Sequence, residues 1–166
     1  AIKLILSSME FYLANQPDGN AIMLRAANLA GRAINIAQTT AGHAMCYKLT
    51  SLYGISHGHA AALCVRKLWP FMIENISQCT DERGAAYLME IFSEIAEAMG
   101  CSSPIEAAEK FQTIFDSLGL SVPEYTEENL KLLKTTVNPV RLKNNPIRLT
   151  SKSIENLYRQ ILRKKA

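Results

Sequence analysis

Apolar residues recur at three- and four-residue spacing along nearly the whole chain, and no segment sustains the period-two alternation of a half-buried strand. That pattern predicts an all-α fold, a multi-helix bundle. The breakers divide it. Helices are expected over residues 1–15, stopped by Pro17-Asp18-Gly19; over 19–39, rich in small residues that let another helix approach; and over 41–53, broken by Gly54. A fourth runs over 57–77 with Pro70 inside it, where the missing donor and the ring predict a kink. A fifth starts at Thr80-Asp81-Glu82 and closes at Gly100. Ser103-Pro104-Ile105-Glu106 reads as cap, first-turn proline and acidic third position of a helix ending at Gly119. A short helix follows Thr126, residues 138–150 read as irregular, and a last amphipathic helix opens at Ser151 or Ser153 and ends near Arg163. The total is roughly seven to nine helices.

At 166 residues the chain is long enough for one domain with a core, and its 48% hydrophobic and 20% charged composition is that of a water-soluble globule. The net charge of +3 is small, and Arg159, Arg163, Lys164 and Lys165 at the tail supply much of it. A nucleic-acid binder needs a broader basic face with interleaved aromatics, so no nucleic-acid partner is expected. No apolar run approaches the roughly 20 residues of a membrane span, and no secretory signal is visible, so no membrane partner is expected either. Cys46, Cys64, Cys79 and Cys101 form no C-x-x-C pair; they read as reduced thiols, which places the chain in the cytoplasm. No Gly-rich phosphate loop occurs. The chain opens Ala1-Ile2-Lys3-Leu4-Ile5-Leu6, already in helical register without a cap, and the expectation is a piece of a longer protein.

All three histidines, His43, His57 and His59, fall within seventeen positions beside Gly54, Tyr47 and Lys48. On one continuous helix, His43 and His57 would sit about 20 Å apart, too far to share an ion. With a turn at Gly54 the second helix folds back and the two imidazoles can converge, and Gly58 leaves room for close approach. Paired imidazoles suit Fe(II), Zn(II), Cu or Ni and not Mg or Ca. His59, two positions on, points to a different side of its helix and reads as pocket wall or surface. No Asp or Glu lies between residues 19 and 73, so the pair alone is half of a metal site.

The stretch His43-Ala44-Met45-Cys46-Tyr47-Lys48-Leu49-Thr50, continuing through Tyr53 to His57-Gly58-His59-Ala60, resembles the signature of the iron-containing alcohol dehydrogenases, H-x-M-x-H-x-L-G, an aromatic, then P-H-G-x-x-x-A. The histidine spacing matches. The likeness continues through Trp69-Pro70 and Asn75 to Asn145-Pro146-Ile147-Arg148-Leu149-Thr150, similar to the N-P-R-P-x-T before that family's last helix. It implies a dehydroquinate synthase-like C-terminal α domain over residues 1–166, with its first helix missing. It also implies an NAD(P)-linked alcohol dehydrogenase or aldehyde reductase whose Fe(II) or Zn(II) is held by an Asp and three His. His43 and His57 would be the third and fourth ligands, with the Asp and another His four residues apart on the helix before Ala1. NAD(P) would be bound mainly by an N-terminal domain outside this chain.

The departures are Tyr47 where the family often has His, Thr50 for Gly and Ser56 for Pro. Tyr47-Lys48-Leu49-Thr50 resembles the branch of phosphonoacetaldehyde reductases. On that reading Tyr47 is the catalytic-site residue facing nicotinamide or substrate. Lys48 and His59 are substrate-binding candidates for an anionic, phosphonate-bearing aldehyde or alcohol. A homodimer is compatible with this reading, and the fragment alone is expected to be inactive with weak metal affinity. The competing reading is a non-catalytic helical interaction module with incidental histidines; a self-contained metal or haem bundle ranks last, because no E-x-x-H pair occurs.

Overall fold

The computed structural model describes residues 1–165, and its regular structure is helical apart from one minimal strand pair and an isolated bridge between Cys79 and Ile147. The elements are α1 (Ile2–Leu13), α2 (Pro17–Ala37), α3 (Ala41–Tyr53), α4 (His57–Glu74), a 3-10 turn (Ile76–Gln78), α5 (Gly84–Ala98), α6 (Pro104–Ser117), β1 (Glu124–Tyr125), α7 (Glu127–Thr135), α8 (Pro139–Leu142), α9 (Ser151–Ile161) and β2 (Arg163–Lys164). The expected all-α bundle is what forms. No helix among the described residues is long and apolar enough to cross a membrane.

The chain divides into two compact units. The first comprises residues 1–38 and 91–107, and its centre is the α1–α2 hairpin. Gly19 makes that hairpin possible: a Cβ there would lie 2.5 Å from the backbone of Phe11 and Tyr12, so no larger residue fits. Ser8, buried in α1, satisfies its hydroxyl by donating to the Leu4 carbonyl at 2.7 Å. Pro17 takes the first helical position of α2, where its missing N–H is no loss, so the helix starts two residues earlier than Gly19.

The second unit, residues 39–90 and from 108 onward, holds the main core. Met45 and Leu49 of α3, Leu63 and Leu68 of α4, Leu130 and Leu133 of α7, and Leu157, Tyr158 and Ile161 of α9 are all buried in one cluster. Fully burying one such aliphatic side chain stabilises the fold by about 1.5–3 kcal/mol. Tyr158 threads its hydroxyl through the core to donate to the Met45 carbonyl at 2.9 Å, and burial raises its pKa far above the ordinary tyrosine value. At the surface, Arg159 donates to both Glu127 carboxylate oxygens at 2.9 and 2.8 Å and to Glu155 at 3.0 Å. The basic tail is therefore in part a tie from α9 to α7 and not only a charge at a helix end.

Several boundaries differ from the sequence reading. The fifth helix begins at Gly84, not Thr80, because Asp81 captures the Arg83 backbone N–H at 3.0 Å and its guanidinium at 2.7–2.8 Å, which holds a turn. The fourth helix passes through Pro70 and ends at Glu74, with the 3-10 turn finishing the segment. Residues 138–150 are not wholly irregular: Asn138 caps α8 by accepting from the Val140 and Arg141 N–H groups. The last helix is capped by Thr150, which exchanges hydrogen bonds with Ser153. The Asn145-Pro146-Ile147 segment straps the end of the 3-10 turn, with Thr80 N–H donating to the Pro146 carbonyl at 2.8 Å. The parallel β1–β2 pair was not foreseen.

Candidate metal centre

The break between α3 and α4 builds the site. Gly54 adopts φ +65°, a left-handed conformation that costs any L-residue with a Cβ, and it closes α3 by donating to the Thr50 carbonyl. Ser56 stands in extended conformation as the residue before the helix, and His57 opens α4. The ring centres of His43 and His57 then lie 5.3 Å apart, the planes inclined at 53°. A metal about 2.1 Å from each ring nitrogen lies about 3.2 Å from each ring centre, and two rings at a tetrahedral angle around it sit roughly 5.3 Å apart. The pair therefore has the spacing of two imidazoles on one divalent ion.

Electrostatics favour the ligating form. Burial first, then His57, then Arg141 lower the pKa of His43, so its ring is neutral at pH 7 and carries a lone pair. Cys46 lies beside the pair, its sulfur 3.8 Å from His57 Nδ1, yet burial pushes its thiol up to about 11. The thiol stays protonated at neutral pH and donates to the His43 carbonyl at 3.4 Å. It is a neighbour of the site and not a thiolate ligand. Among the described residues no group of three or more His, Cys, Asp or Glu is arranged to hold a metal. The donor set fits two positions of a divalent centre and leaves the others to be supplied.

Tyr47, one turn after His43, has its ring 5.5 Å from that of His57 and is 42% exposed. Lys48, on the same helix, makes no ion pair or side-chain hydrogen bond among the described residues. His59 is held elsewhere: its Nε2 donates to the Ser121 carbonyl at 2.8 Å and its ring lies 6.1 Å from Phe115. The structure thus gathers His43, His57 and Tyr47 and commits His59 to a different loop.

Arg141 was missed by sequence reasoning. It sits on α8 with its guanidinium 5.8 Å from the Tyr47 ring centre, anchored by donation to the Thr39 hydroxyl. No carboxylate pairs with it among the described residues. The available signal was Asn138-Pro139, a cap followed by a first-turn proline, which predicts a helix start inside the segment read as irregular.

Residues 1–162 match the profile of the Fe-containing alcohol dehydrogenase family, C-terminal. A phosphonoacetaldehyde reductase of Streptomyces viridochromogenes is 29% identical over 161 residues, 95% of this chain and 40% of that protein. Among solved structures, sulfoacetaldehyde reductase from Bifidobacterium kashiwanohense, in complex with NAD+, superposes with a TM-score of 0.78 at 22% identity, covering 96% of this chain and 41% of that one. The iron-containing alcohol dehydrogenase of Thermotoga maritima gives 0.73 at 23% identity, covering 97% and 40%. These structural likenesses establish the fold. The chain spans about two fifths of the length of the relatives it matches. With residues 1–162 matched, the chain belongs to the Fe-containing alcohol dehydrogenase family, in that family's C-terminal part.

Proposed function

We propose that this chain is the metal-binding helical part of an NAD(P)-linked aldehyde reductase or alcohol dehydrogenase, and that His43 and His57 are two of its metal ligands. The observation that carries the reading is the 5.3 Å separation of the two rings across the Gly54 turn. The remaining ligands, an Asp and a His, and the nicotinamide-binding part come from elsewhere in the parent protein. A bound Fe(II) or Zn(II) supplies Lewis-acid polarisation of the substrate oxygen, and the nicotinamide supplies hydride exchange.

The chain's own residues do the rest. His43, kept neutral by burial and by neighbouring positive charge, offers its lone pair without first losing a proton. His57, exposed at the start of α4, offers the second. Tyr47 covers the His57 ring on the open side and bounds the space beside the reacting carbon. Arg141, beside Tyr47 and lacking a carboxylate, receives the anionic end of a phosphonate- or sulfonate-bearing aldehyde, for which its planar fork of donors is suited. Lys48, next in sequence to Tyr47, is the second cationic candidate. His59 was the other expected anion contact; its Nε2 is already used on Ser121, and it stays a secondary candidate.

The test is metal titration of this chain with Co(II) and Zn(II), followed by the same titration of His43→Ala and His57→Ala. The expected result is weak, poorly selective binding that either substitution abolishes. Binding that survives both substitutions would remove the histidines from the site. In the parent gene, an Asp-x-x-x-His encoded about twenty residues before Ala1 is the expected source of the missing ligands.

A further inference from the structure

We propose that the pocket beneath the α6–β1 loop and the end of α9 is a binding site for a small phosphate-bearing molecule, with Arg66 and Arg163 as its anion-holding residues. The cavity measures about 540 Å³ and lies in the second unit. That is within the usual size range of small-molecule sites.

Arg66 is only 9% exposed and lies with its guanidinium carbon 4.5 Å above the ring centre of buried Phe115. Its five N–H donors are poorly served. Nε has no partner, and one terminal nitrogen reaches the Ile161 carbonyl only at 3.5 Å. The other stands 3.7 Å from Asp116, beyond hydrogen-bond length. Asp116 is itself 63% exposed, and both its oxygens accept from the Gln112 amide at 2.8 and 2.9 Å. The forked pairing that normally accompanies a buried arginine is therefore absent.

A second cation lines the same cavity. Arg163 belongs to β2, where its N–H donates to the Pro123 carbonyl at 3.0 Å and fixes its position. Burial lowers the pKa of Arg66, Asp116 partly opposes that, and the like charge of Arg163 lowers it further. Two guanidiniums against one half-committed carboxylate leave a net positive pocket. Water can satisfy N–H groups there but cannot offset the charge; a dianionic phosphate does both. The apolar wall of Leu120, Val122 and Leu162 accommodates a non-polar body beside the phosphate. The loop that frames the opening is held by His59, through its bond to Ser121.

The experiment is a titration of the ¹⁵N-labelled chain at constant ionic strength, following the arginine Nε–Hε resonances. The probes are inorganic phosphate, phenyl phosphate and acetate. The Arg66 resonance is expected to move and saturate at about millimolar phosphate, more tightly with phenyl phosphate, and to respond least to acetate. Arg163→Gln, at an exposed position that does not endanger folding, is expected to weaken phosphate binding about tenfold. Arg66→Met, provided its amide spectrum stays native-like, is expected to abolish it. The proposal is overturned if the Arg66 resonance stays still at tens of millimolar phosphate. Acetate binding as tightly as phosphate, or Arg163→Gln binding unchanged, overturns it equally.

Discussion

His43 shows how far a single side chain is set by its surroundings. Its pKa is held below the ordinary histidine value by burial, by His57 and by Arg141. In the unfolded chain it returns to about 6.5. The unfolded state therefore binds more protons between the two values, and His43's contribution to stability is complete above pH 6.5 and lost as pH falls toward the folded value. Urea midpoints measured between pH 7.5 and pH 5 should fall with acidity, and His43→Asn should flatten that slope. Arg141→Met should raise the His43 pKa toward 6.5 in an NMR titration of the imidazoles; an unmoved His43 would remove Arg141 from its environment. In the parent enzyme the same substitution should impair turnover of a phosphonate-bearing aldehyde far more than that of an uncharged one. The histidines were legible in the sequence because they stand fourteen positions apart around a glycine. Arg141 was not, because only tertiary packing brings it to Tyr47, and no local periodicity records such an approach.

At the scale of elements, turns and caps decide the geometry. Nothing lies within 4 Å of where a Cβ on Gly54 would fall, so Gly54→Ala tests backbone strain alone. It should cost about 1 kcal/mol by denaturant titration and weaken metal binding, because His57 follows that turn directly. Thr150→Ala removes the cap of α9 and should cost about 1 kcal/mol; a change under a few tenths would mean the capping exchange with Ser153 carries no weight. Most helices were readable because their apolar spacing and breakers agree. The start of α5 was misread because Asp81 binds its neighbour's backbone instead of capping a helix, a choice that depends on Arg83 being free to close the turn. The β1–β2 pair escaped because two-residue strands are too short to show a period.

For the molecule as a whole, the decisive fact is coverage of about two fifths of its relatives. On the proposed function the histidine pair provides half a ligand set, and among the described residues nothing completes it. The chain alone should therefore consume no NADH or NADPH with phosphonoacetaldehyde and added Fe(II) or Zn(II), as followed by absorbance of the reduced nicotinamide. Turnover by the isolated chain would overthrow the division of labour proposed above. The bundle was legible as a fold class, whereas its partition into two units was not, because both are built from the same helical pattern and the first borrows residues 91–107 from the middle of the chain.

The hydrogen bond from Tyr158 to the Met45 carbonyl has a consequence in time. The helix that carries His43 is anchored by a side chain from the last described helix. During synthesis α3 leaves the ribosome long before α9 exists, so its histidines emerge on a helix whose core-side support has yet to be translated. On the proposed function, the pair reaches its spacing only once Tyr158 has been made and packed, and a nascent chain stalled before residue 158 presents both imidazoles without that anchor.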